Sequence, residues 1–396
     1  MRVLSVTAQK PCSTGSGVYL TEVVRSLAKM GVSQAVVAGV TREDRVDMPE
    51  GVTVYPVYFS SEKLPYPVVG MSDDMPYTST RYRDMTEEMA GQFKAAFLEV
   101  LDEAIEKENP DIILCHHLYY LTALIRAHYP AKKVYGFCHN TDLRQMESIS
   151  FERNFIRQEI PKLDRIFALQ EAQKEKIKKI YPVSEKQMTV IGTGYNSEVF
   201  KKTGIKLSRK DGKIRMIFAG KITQKKGVKS LLRALNLLDY AKENIQLILA
   251  GGAGNLVEYE EIKELADGCR YPVVFAGCVT QSRLAELYND CDIFVLPSMY
   301  EGLPLTVIES LACGDRVVMT KLEGIAEWLA DMVPDADIRY VLPPGMKGTD
   351  EPLEEELPAF ESRLAEALRE AIEEKDTKEC DVSRISWQKI AREVIR

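Results

Sequence analysis

The sequence predicts an α/β protein made of two doubly wound domains in tandem. Three observations carry this. Short apolar runs alternate with helical periodicity, the alternation stops over residues 196–213 and then restarts, and 396 residues exceed what one core usually serves. Runs that are apolar on both faces and separated by helices belong to parallel strands covered on each side.

In the first half the strand runs are RVLSV, QAVVAG, VTVYPVY, DIILCHH, KVYGFC, RIFAL and MTVI. The helical pattern VYLTEVVRSLAKMG ends at Gly31, and MTEEMAGQFKAAFLEVLDEAIEKEN stops before Pro110. The polar stretch 196–213 reads as the linker. After it come IRMIFAG, IQLILAG, PVVFAG, DIFVLP, RVVMT and RYVL. The last segment, DVSRISWQKIAREVIR, reads as a helix anchored by Trp387. Domains are therefore placed at 1–200 and 201–380, with a C-terminal helix within 381–396 expected to pack back on the N-terminal domain. Ligands of such folds bind beyond the carboxyl ends of the strands. With two sheets facing each other, a cleft between the domains is the expected site.

Composition narrows the function. A formal net charge of −7 argues against a nucleic-acid surface. Eight cysteines contain no C-x-x-C, which gives neither a zinc ribbon nor a thioredoxin motif and suits a reducing cytosol. MRVLSVTAQK alternates like a strand and lacks the apolar core of a signal peptide. No run reaches the roughly 18 apolar residues of a membrane span, so a cytoplasmic protein is expected. His116 and His117 are adjacent on a strand, where neighbours point to opposite faces, so no shared metal is expected there.

Three stretches are able to carry chemistry. PCSTGSGVYL joins the first strand to the first helix; Gly15 and Gly17 permit close approach of a ligand to backbone N–H groups at a helix start. The spacing is not G-x-G-x-x-G, so a dinucleotide is not implied. In FAGKITQKKG a strand ends at Gly220, Lys221 follows, and Lys226-Gly227 opens a helix. Two ammonium groups beside a helix start suit a diphosphate; the alternative is a solvated lysine-rich loop. In SMYEGLPLTVIESLACGD, Glu301 lies ahead of a helix and Glu309 lies within it, eight positions on. Pro304 suits the first helical turn and Gly314 the C-terminal cap. The helix dipole accounts for Glu301 but not for Glu309, an acid among TVI and SLA that needs a partner if buried. Carboxylates pair well with vicinal sugar hydroxyls.

FAGKITQKKG followed by LPSMYEGLPLTVIESLACGDRVV resembles the C-terminal domain of the retaining GT-B glycosyltransferases of family four. The N-terminal half agrees in its first glycine turn, in HNTD after the fifth strand and in VIGTGYNSEVF. The resemblance implies two Rossmann-like domains facing a cleft. It implies that Lys221 and Lys226 hold the donor diphosphate, Glu309 the nucleotide ribose and Glu301 the transferred sugar. Gly220, Gly302, Leu303, Pro304 and Leu305 would border sugar and phosphate. Val279 would meet the base, and Gly15 and Gly17 would approach the phosphates. His139 would lie next to the sugar. Glu301, His139, Lys226 and Lys221 are thus the residues expected to act in catalysis, without a metal or cofactor. Lys221 stands where arginine is commoner, Asn140 where glycine is commoner, and ALQEAQ lacks a frequent serine.

On the acceptor side, Asp142 and Arg144 either orient the loop after His139 or meet an acceptor phosphate. Residues 60–85 form a long loop with Tyr66, Tyr77 and Tyr82, which either stack on an acceptor or cover the edge of the core. The lysines of EAQKEKIKKI either form a solvated face or touch an anionic bilayer where a lipid-linked acceptor waits. The expected reaction moves a sugar from a nucleotide diphosphate sugar, UDP favoured, to a glycan, lipid-linked or small-molecule hydroxyl. An epimerase or hydrolase of the same fold and a non-catalytic sugar-nucleotide-binding protein are the rival readings.

Overall fold

The computed structural model describes residues 1–11, 13–73, 75–204, 206, 211–253, 255–348, 351–374 and 380–396; Cys12, at the start of the first glycine turn, lies outside them. The chain divides into two compact units, Met1–Gly194 with Trp387–Arg396, and Tyr195–Ser386.

The first unit contains β1 (Arg2–Thr7), β2 (Ser33–Val40), β3 (Thr53–Tyr58), the short β4 (Val69–Gly70) and β5 (Thr80–Arg81), then β6 (Ile112–His116), β7 (Val134–Phe137), β8 (Arg165–Ala168) and β9 (Met188–Val190). Among the described residues its main sheet runs β3-β2-β1-β6-β7-β8-β9, parallel throughout. Strand order reverses between β1 and β6, so their carboxyl ends open a crevice where ligands of such sheets bind. Val3, Leu4 and Val6 of β1 are all buried, as a strand covered on both faces requires.

The first helix (Gly15–Lys29) starts where Thr14 accepts a hydrogen bond from the Gly17 N–H. Its stripe of Leu20, Val23, Val24 and Leu27 has no measurable exposure. Each such side chain contributes about 2 kcal/mol of burial. Helix Glu87–Glu108 is capped by Thr86 and closed by Asn109 in the left-handed region, φ 41°, just before Pro110.

The C-terminal helix Trp387–Val394 packs on the first helix in this unit. Trp387 meets the Tyr19 ring edge-on, centroids 4.9 Å apart, and Glu393 pairs with Arg165. A Cβ added at Gly194 would lie 2.5 Å from both the Trp387 ring and its backbone nitrogen. Gly194→Ala is therefore expected to cost roughly 2 kcal/mol through overpacking, with a red shift of tryptophan emission. Urea unfolding followed by fluorescence checks it, and unchanged stability and emission would show that the helix yields freely.

The second unit contains β10 (Ile214–Ala219), β11 (Ile245–Ala250), β12 (Val273–Gly277), β13 (Ile293–Leu296), β14 (Arg316–Thr320) and β15 (Ile338–Val341). These form a parallel sheet in the order β12-β11-β10-β13-β14-β15 among the described residues. The order reverses between β10 and β13. The loops leaving those two strands are FAGKITQKKG and SMYEGLP, the lysine and glutamate stretches read from the sequence.

Candidate functional site

In the second unit the reversal brings together residues 75 positions apart. Beyond β10 the chain passes Gly220 and Lys221 into a single 3-10 turn, Gln224–Lys226, capped by Thr223 through the Lys226 N–H. Gly227 follows with φ +75° and opens helix Val228–Asn236. Beyond β13 the loop is tied to this turn by the Met299 N–H, which donates to the Lys225 carbonyl at 2.9 Å. The result places Lys226 Nζ 2.6 Å from Glu301 Oε1, with the two side chains 27% and 13% exposed. The pair is reachable from solvent, so a ligand is able to compete for either member. Lys221 is partly exposed two residues past β10, and Val279 two residues past β12.

Gly302, Leu303 and Pro304 lead into helix Leu305–Ala312. Pro304 is the N-cap, one residue ahead of the helical turn expected for it, with φ −73° and ψ 109°. Gly314, φ +85°, follows the C-cap Cys313 and stops the helix. Glu309 is only 7% exposed, with buried Val307, Ile308 and Ser310 around it. Its charge is one of those that push the buried Tyr288 phenol well above its ordinary pKa, burial being the larger cause. A buried carboxylate midway along an apolar helix is costly unless paired.

In the first unit the crevice at β1 and β6 gathers the glycine turn and three histidines. Gly15 begins the first helix and has no atom within 4 Å of where a Cβ would stand. Gly17 is buried, its N–H held by Thr14. His139, just past β7, is partly exposed, and its Nε2 lies 3.0 Å from His116 Nδ1. The two imidazole planes lie 11° apart with centroids 5.2 Å apart, an edge-to-edge placement that a ring N–H donor in its own plane can use. His117 also reaches this cluster, its ring 4.9 Å from that of His139. Strand alternation was expected to separate His116 from His117. It does not apply, because β6 ends at His116 and His117 turns left-handed, φ 76°. Burial pushes the His116 imidazole down to about 3 and His139 well below its ordinary value, so both rings are neutral at pH 7. Tyr19 backs His139 edge-on at 5.2 Å.

Asp142 orients this loop. Its carboxylate is fully buried and accepts from the backbone N–H groups of Leu118 and His139 at 2.7 and 3.2 Å. Asn140 adopts φ 72°, which explains both the glycine commoner at this place and why asparagine replaces it. Arg144 is 11% exposed and lies 3.4 Å from Asp73, which Arg83 also engages at 2.6 Å, so its charge is shared inside the unit.

The acceptor-stacking expectation for the tyrosines is corrected at two positions. Tyr66 is buried with its hydroxyl donating to the Met89 carbonyl at 2.7 Å. Tyr82 is buried between the rings of Tyr119 and Phe151. The loop folds inward because Leu64, Val68, Val69 and Met71 pack into the core and the short strands β4 and β5 pair. Tyr77 is partly buried beneath the Lys10 ammonium, 5.0 Å from its ring centroid. In helix Glu171–Ile180, Lys174 pairs with Glu171 and Glu185 and Lys178 with Glu175 and Glu185, so half of the expected lysine face is neutralised locally. Among the described residues no cluster of His, Cys, Asp or Glu is placed to hold a metal, and no helix is long and apolar enough to cross a membrane.

Sequence reasoning missed His116, His117 and Tyr19 as neighbours of His139. The signal was that DIILCHH and KVYGFCHN carry histidines at or just past the ends of strands that prove adjacent.

Comparison with known proteins gives two family matches. The model of Glycosyl transferases group 1 matches residues 200–356, and that of Glycosyltransferase Family 4 matches residues 13–199. An uncharacterized glycosyltransferase of Methanocaldococcus jannaschii is 29% identical over 172 residues, 41% of this chain and 44% of that protein. The chain spans about half the length of the curated relatives it first matches, 44% and 61%. Among solved structures, sucrose-phosphate synthase from Thermosynechococcus elongatus superposes with TM-score 0.71 at 16% identity, covering 100% of this chain and 97% of that one. Anabaena HepE in complex with UDP-glucose gives TM-score 0.65 at 14% identity, covering 100% and 98%.

Proposed function

The chain belongs to the group 1 glycosyl transferases, its two parallel-sheet units being those of a GT-B fold, and from this premise we propose that it transfers a sugar from a nucleotide diphosphate sugar to a hydroxyl acceptor with retention of configuration. The observation that carries the reading is the 2.6 Å contact between Lys226 and Glu301 at the strand-order reversal of the second unit, with Glu309 held in the helix that follows. One carboxylate for the sugar, one for the ribose and ammonium groups for the diphosphate would make a donor set for a nucleotide sugar.

In the proposed mechanism Lys221, Lys226 and the adjoining helix start stabilise negative charge as it develops on the departing diphosphate. His139, with Gly15 and Gly17 nearby in the first unit, would serve the sugar and the incoming hydroxyl. The acceptor hydroxyl would attack from the face the diphosphate leaves, and Glu301 is the carboxylate to test for a covalent intermediate. The ammonium groups fill the charge-neutralising role that a metal cation has elsewhere.

A UDP-sugar is the favoured donor; the complex of the similarly folded HepE with UDP-glucose supports that choice. The acceptor is proposed to be a glycan or lipid-linked hydroxyl. Thermal shift with UDP-, GDP- and ADP-sugars in the presence of EDTA provides the test. At 100 times Kd the matching donor adds about 2.7 kcal/mol, and a UDP-sugar is expected to give the largest rise. NMR of the product with that donor should show the anomeric configuration kept. Inverted product would remove the retaining mechanism, and no shift with any donor would remove the donor site.

A further inference from the structure

The contact between His116 and His139 has a direction that burial decides. The Nδ1 of His116 and the Nε2 of His139 are 3.0 Å apart, so one carries the proton and the other accepts it. A neutral imidazole carries a single N–H. If His139 were the donor, His116 would hold its own proton on Nε2. That atom is buried and has no hydrogen-bond partner among the described residues. A buried N–H without an acceptor is among the rarest features of folded proteins, whereas a buried lone pair is tolerated more often. His116 is 4% exposed and its ring stacks on Phe137 at 4.8 Å, so its Nε2 is shielded from solvent in the arrangement that brings Nδ1 to His139.

We infer that His116 is a positioning residue: its Nδ1–H donates to Nε2 of His139 and so fixes His139 in the tautomer whose proton sits on Nδ1. The Nδ1–H of His139 is then the ring's one donor left for a ligand. This rests on the reading of His139 as a residue that meets the sugar or the incoming hydroxyl. The neutrality that the arrangement requires is consistent with burial, which holds both rings below their ordinary pKa. The His117 ring at 4.9 Å limits movement of His139 from another side. Neither residue lies on the same strand as the other, but the register pairs His116 with Phe137, two positions before His139.

The test is a long-range 1H–15N correlation spectrum of the full chain labelled with 15N-histidine, without substrate. Four histidines give four patterns, assigned through His139→Gln and His116→Phe. The wild type should show His139 protonated on Nδ1. In His116→Phe, which keeps a ring against Phe137, the pattern should shift towards Nε2–H. In His116→Asn, whose side-chain amide nitrogen falls near the position of Nδ1, the wild-type pattern should be retained. Transfer assays should show kcat down about tenfold in His116→Phe, the worth of one neutral hydrogen bond, with donor KM unchanged and recovery in His116→Asn. Nε2–H on His139 in the wild type overturns the assignment whether or not the chain proves to be a transferase. A shifted tautomer with unchanged kcat overturns the positioning role alone.

Discussion

Lys226→Ala is expected to lower kcat for sugar transfer by roughly 100- to 1,000-fold, the loss that follows removal of one preorganised group facing developing charge. The ammonium stands on the turn after β10, beside the start of a helix, and its partner Glu301 comes from the loop after β13. Both side chains are largely buried, 27% and 13% exposed, so removing the ammonium also takes this partner from Glu301 and costs some stability. Unfolding is therefore measured beside the rate, and the loss of kcat should exceed what any unfolded fraction accounts for. If the ammonium acts mainly on the leaving diphosphate, kcat falls further than donor affinity, because the charge it meets is larger in the transition state than in the bound donor. Glu309→Ala provides the contrast. A carboxylate that holds only the ribose binds ground and transition states alike, so donor KM should rise while kcat changes less. Initial rates of nucleoside diphosphate release over a range of donor concentrations separate the two. Wild-type kcat in Lys226→Ala would remove Lys226 from the site.

The fold was legible because each sheet strand is an apolar run bounded by polar or glycine-containing stretches. Every run read from the sequence, from RVLSV to RYVL, is a strand of one of the two large parallel sheets. Pairings across the sequence were not legible. Nothing local in KITQKKG says that Lys226 meets Glu301; that follows from β10 lying beside β13 while β11 and β12 lie on its other side. Backbone exceptions were equally hidden. Alternation assigned His117 to the face opposite His116, and one left-handed residue at the strand end undid it. The tyrosines of residues 60–85 left two readings open, stacking on an acceptor or covering the edge of the core; Val68, Val69 and Met71 pull that segment into the core and bury Tyr66 and Tyr82 with it. Apolar residues interleaved among the prolines were the available sign, and their spacing matched neither helix nor strand.

Gly227→Ala is expected to destabilise the second unit by roughly 3–5 kcal/mol, combining the cost of a left-handed non-glycine residue with that of overpacking. Gly227 has φ +75°, and a Cβ there would stand 2.0 Å from the Pro297 carbonyl oxygen. That oxygen is backbone, at the end of β13, and cannot swing aside as a flexible side chain would. Relief requires moving the turn after β10 away from the loop after β13, the two segments that supply Lys226 and Glu301. Activity should fall together with stability. Gly15 gives the opposite expectation despite a similar place at a strand-to-helix turn. It has no positive φ and no atom within 4 Å of a Cβ, so Gly15→Ala should leave the unfolding free energy within about 0.5 kcal/mol of wild type. A loss of transfer in that folded variant would mean that a ligand, not the protein, needs the space. Urea unfolding and transfer rates on the two variants distinguish a glycine required by the chain from one required by what binds it. Equal stability for Gly227→Ala and wild type would show that the close approach to Pro297 is not fixed by the fold.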